Sequence, residues 1–187
     1  MKKLFLIISI IVFVGSLSAI GQGFKSPAEG KSVVYFARVT KYGKPTGFEF
    51  FHQDKYIGIF KGDQYMRYEC EPGTQLFWAS SENKEFITAD LEAGKSYVIV
   101  VDVIMGAWKA RVGLTPLDIN DAETWGRVKK LIVKRAPVEI PQAKIDKMNK
   151  KLEKFIVEKL KMYESTWKQE KNFKHVSADM AIPEDQM

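Results

Sequence analysis

Gly47-Phe48-Glu49-Phe50-Phe51-His52-Gln53-Asp54-Lys55-Tyr56-Ile57-Gly58-Ile59-Phe60 holds two apolar, aromatic runs, 47–53 and 56–60, joined across Asp54-Lys55. A gap that short between two such runs reads as a β-hairpin. The same pattern extends both ways. Upstream, 32–40 ends at Tyr42-Gly43-Lys44-Pro45. Downstream, Lys61-Gly62-Asp63 leads to 64–70, Glu71-Pro72-Gly73 to 74–81 and Ser81-Glu82-Asn83 to 85–91. Glu92-Ala93-Gly94-Lys95 then leads to 96–104, and Met105-Gly106 to 108–115, which Pro116 stops. About eight strands at this spacing predict a mainly β fold, an antiparallel β-sandwich. Trp108, Ala110, Val112 and Leu114 alternate with Lys109, Arg111 and Gly113, giving the last strand one dry face. The run 96–104 is apolar on both sides apart from Asp102, so it is expected to be central and covered on each face, with the C-terminal helical segment as the covering element. Asp102 is expected to be hydrogen-bonded, because an unpaired buried carboxylate is costly.

Beyond 118 the periodicity changes. Asn120 followed by Glu123 is a capping-box variant that opens a helix running to about Lys134, before Pro137. Val138-Glu139-Ile140-Pro141 is an extended link. A long second helix is expected over 142–171, with Ile145, Met148, Leu152, Ile156, Leu160, Tyr163 and Trp167 on one stripe. At ~1.5 Å per residue it would reach about 45 Å, so part of its stripe should overhang the body and meet a partner or a second copy. The tail 175–187 is expected to be disordered.

The chain opens with Lys2 and Lys3, an uncharged run from Leu4 to Val14 and small residues through Gly21. That is the layout of a secretory signal peptide over 1–21, cleaved after Ala19 or Gly21; the run is short for a membrane span, and retention as an anchor is the alternative. The organisation expected is therefore signal 1–21, sandwich 22–118, helical extension 119–174 and tail. The formal charge of +6 is uneven: residues 22–140 carry 17 Lys/Arg against 15 Asp/Glu, and 141–174 carry 10 against 5. A near-neutral body in an exported protein argues against nucleic acid. The single Cys70 excludes an internal disulfide and lies far from any lipid-bearing junction, and it reads as a small buried hydrophobe.

No metal-ligand spacing, phosphate-binding loop or nucleophile elbow is present, so no catalytic residue, cofactor or metal site is expected. His52 and Asp54 read as a solvated hairpin end, and His52 with Cys70 would pair only if the fold joined them. Glu69 and Glu71 read as a solvated strand end. Most aromatics should be core; the candidates for an interaction surface are Trp108, Lys109, Arg111, Tyr163 and Trp167.

Asp54-Lys55-Tyr56-Ile57-Gly58-Ile59, Gly62-Asp63-Gln64-Tyr65, Glu71-Pro72-Gly73-Thr74 and Leu91-Glu92-Ala93-Gly94-Lys95-Ser96-Tyr97-Val98 follow one another in a familiar order. Over 32–117 the chain resembles a family of bacterial exported domains of unknown function, many of them lipoproteins. The resemblance implies a compact β-sandwich and transfers no catalytic residue; the lipid-bearing cysteine of many members is absent. The function expected is a non-enzymatic envelope protein, periplasmic or extracellular, docking an envelope protein or itself through the 142–171 helix. A glycan- or peptide-binding sandwich, or attachment to a membrane surface through the helix lysines, are the alternatives.

Overall fold

In the computed structural model, which describes residues 23–40, 45–105 and 110–187, each of the eight expected runs contains a strand. They are β1 Ser32–Ala37, β2 Gly47–His52, β3 Lys55–Lys61, β4 Tyr65–Cys70, β5 Gly73–Ser80, β6 Lys84–Leu91, β7 Ser96–Met105 and β8 Ala110–Pro116. The hairpin loop sits one residue earlier than predicted, at Gln53-Asp54, with Gln53 in the left-handed region at φ 50°. Bonds from Gln53 N–H to the Leu76 carbonyl and from Trp78 Nε1 to the Gln53 carbonyl hold it there.

Two sheets result, ordered β4-β1-β7-β8 and β3-β2-β5-β6-β9, where β9 is Lys174–Val176. The expected all-antiparallel arrangement is corrected: β1 runs parallel to β7, and β6 parallel to β9. A parallel pair needs a long crossover, and the segment β2 through β6, which builds most of the second sheet and contributes β4 to the first, provides it for β1 and β7. The disordered tail is corrected too. Val176 and Ile182 are buried, and Ile182 N–H donates to the Ser96 carbonyl. Trp125 Nε1 donates to Gln186 Oε1 at 2.9 Å.

The sheets face each other across Val34, Phe36, Phe48, Phe50, Phe77, Ile99, Val101, Val112 and Leu114. Alternation then gives each sheet a second apolar face, and each is covered by a helix. Helix α1 (Ala122–Lys134) lays Trp125, Val128, Leu131 and Ile132 on Val33, Tyr35, Val98 and Val100. Its cap is Asp121 rather than the expected Asn120: Thr124 N–H donates to the Asp121 carboxylate at 3.1 Å. The Thr124 bonds hold that carboxyl below its ordinary range.

Helix α2 (Gln142–Met162) continues through a π-helical stretch, Tyr163–Trp167, into the short α3, Lys168–Glu170. The predicted stripe is real, and all seven of its residues pack with Phe51, Tyr56, Trp78 and Phe86 of the second sheet. The expected overhang is therefore corrected: the widened turn keeps Tyr163 and Trp167 both on the Phe86 ring, at 4.4 and 6.0 Å. Asp102 accepts from Thr115 Oγ1 at 2.7 Å, as expected, and Lys174 Nζ donates to the same hydroxyl.

Candidate functional site

A sheet edge offers unpaired N–H and C=O groups, so how each edge is closed decides where another molecule can reach the backbone. Beside β6 lies β9. On β8, the Asn83 amide takes both polar groups of Val112, donating to its carbonyl and accepting from its N–H at 2.8 Å each, while Ser81 donates to Ala110. On β3, Asn149 of α2 does the same for Tyr56, accepting at 2.7 Å and donating at 3.2 Å. At β4 the link donates one bond, Val138 N–H to the Tyr65 carbonyl.

The β3–β4 side holds a groove of about 1110 Å³. Its floor is Tyr56 and Ile57 of β3 with Met66 and Tyr68 of β4; one wall is the face of α2 from Ile145 to Val157, and one end is Val138–Ile140. Gly58 matters to that end. A Cβ there would lie 2.7 Å from Met66 Sδ and 3.0 Å from Ile140 Cδ1, so glycine lets the link sit down between the strands. Lys55, Arg67, Asp146, Lys150 and Glu153 line it with both charge signs. Two smaller depressions share lining residues with the groove. One, about 260 Å³, shares Lys55 and Tyr68; the other, about 150 Å³, shares Arg67 and Glu139.

The fold does bring His52 and Cys70 to one depression. Gln75 Nε2 donates to the carbonyls of Glu71 and Pro72, which fixes its Oε1 as the acceptor for His52 Nε2–H at 2.8 Å. His52 Nδ1 then accepts from the Tyr68 hydroxyl at 3.0 Å. Burial lowers the His52 pKa, in keeping with the neutral tautomer that these two bonds define. Burial, reinforced by Glu71 and Glu69, pushes the Cys70 thiol up to about 11, and burial pushes Tyr68 to about 12. A thiol whose pKa is raised by burial, near an imidazole with both nitrogens engaged, is poorly set up as a nucleophile pair; the hydrogen bonds form a chain through Tyr68, His52 and Gln75. The hairpin-end reading of His52 is corrected accordingly, since its ring stacks on Phe77 at 4.7 Å. Glu69 accepts from Arg67 at 2.9 Å, and Glu71 pairs with Lys31.

Of the predicted surface residues, Trp108 and Lys109 lie outside the described residues. Arg111 is exposed on β8, opposite Ile104. Tyr163 is 3% exposed and stacked on Phe86, which removes it from any surface. Trp167 is half-buried with Lys171 Nζ 4.6 Å from its ring centre. The three described residues among them are therefore not gathered into one patch. The groove residues went unseen in the sequence because they come from β3, β4, the link and α2, with no local motif to join them. No cluster of three or more metal-ligating side chains occurs among the described residues. No described helix is long and apolar enough to cross a membrane. Protein-family models, curated proteins and solved structures yield no match to this chain, so its reading rests on its own residues.

Proposed function

We propose that this chain is an exported, non-enzymatic binding module that takes a segment of a partner protein into the groove between β3, β4 and α2. The observation that carries the reading is the groove itself: large enough for a peptide, apolar along its floor and charged along its rim. The leader-like segment 1–21 and the resemblance to exported sandwich domains supply the compartment. The amphipathic stripe that first suggested docking is packed on the chain's own sheet, so partner contact moves from that stripe to the groove. The neutral, fully bonded His52 and the protonated Cys70 favour binding over catalysis.

Val157 is 62% exposed on the groove wall, and Val133, 55% exposed on α1, is not part of the groove lining. Immobilised wild-type protein should enrich a specific envelope protein from extract, as read by quantitative mass spectrometry. Val157→Lys should lose that protein and Val133→Lys should keep it. Equal recovery by all three would reject the groove as the contact surface.

A further inference from the structure

The β1–β4 register fixes which way the β4 backbone faces. Ala37 sits opposite Tyr65, and Arg38 N–H donates to the Gln64 carbonyl, which makes Ala37–Tyr65 a non-hydrogen-bonded pair. The polar groups of Tyr65 therefore point away from β1, and those of Arg67 and Glu69 must follow by alternation. Tyr65 agrees, since its carbonyl is the one that Val138 reaches. Among the described residues the backbone N–H and C=O of Arg67 and Glu69 have no partner, whereas Asn149 takes those of Tyr56 on β3, Asn83 takes those of Val112 on β8, and β9 pairs with β6. Arg67 lines the groove, and Glu69 lines the depression that shares Lys55 and Tyr68 with it.

We infer that the groove takes its partner as an added β-strand on β4, an extended peptide that pairs with Arg67 and Glu69. This deepens the proposed function and rests on it. The Val138 bond is the first rung of such a strand: the chain's own link starts the pairing at Tyr65 and then leaves toward Ile140 and α2, and the peptide continues it. Charge does not select the peptide at this edge, because Arg67 Nη2 already donates to Glu69 and to the Ser26 carbonyl. Selection falls to side chains. Alternate residues of an added strand face the side of β4 that carries Met66 and Tyr68, where Ile57 and Ile140 also lie, so the fitting sequence alternates apolar and polar residues.

A display library of random linear peptides, selected on the full chain, tests this. Selected peptides should alternate apolar and polar residues and slow amide exchange at Arg67 and Glu69 in nuclear magnetic resonance spectra. N-methylation at the positions facing β4 should weaken binding by about two- to tenfold per bond removed, and methylation in the opposite register should not. Peptides that are lost on Val157→Lys but leave both amides exchanging freely, with both methylated registers bound alike, would overturn strand addition and leave the groove reading standing. If selection enriches no peptide at all, both readings fall.

Discussion

Asn83 and Asn149 act alike in unrelated places. Each presents one amide to one strand residue and satisfies both its N–H and its C=O, as a neighbouring strand would. Tyr56 and Val112 are buried at 1% and 0%, so truncation strands two backbone groups away from water. Asn149→Ala and Asn83→Ala should each cost about 1–3 kcal/mol in urea denaturation, with Asn→Asp recovering only the accepting half. His52 supplies a second prediction. Its pKa is lowered by burial, so the unfolded chain takes up a proton more readily than the folded one. The stabilisation is complete above the ordinary histidine value of about 6.5 and is lost as pH falls below it. The denaturation midpoint should drop between pH 7 and pH 5.5, and His52→Gln should flatten that slope. Neither asparagine is legible in the sequence, since nothing local distinguishes an amide that reaches a distant backbone from one in solvent.

The strands were legible as elements because alternation and turn residues are local signals, and Pro72-Gly73 illustrates this with Gly73 at φ 101°. Their pairing was not legible: β1 beside β7 joins segments about sixty residues apart, and no periodicity reports that. β9 escaped because three residues are too few to show a pattern. The α2 stripe taught a different lesson. An apolar face announces that it will be buried, and its sequence does not name the surface that buries it; Phe51, Trp78 and Phe86 were that surface. A chain ending at residue 119 would bare these rings together with Val98 and Val100, and should elute as aggregate in size-exclusion chromatography with light scattering. A chain ending at 173 loses only β9 and the tail; it should stay folded, with a lower denaturation midpoint and self-association through the open β6 edge.

As a whole the molecule is layered, α1 on one sheet and α2 on the other, with the groove along one flank. The opposite flank is closed by Asn83, β9 and the Lys174–Thr115–Asp102 chain. On the strand-addition proposal, this asymmetry leaves the β3–β4 flank as the face that receives the peptide. The strap formed by 174–187 carries another implication. It follows every other described residue and contributes to two separate cores, through Val176 and Ile182. One strap thus ties the inter-sheet core to the layer under α1, so its release would loosen both together while leaving most of each in place.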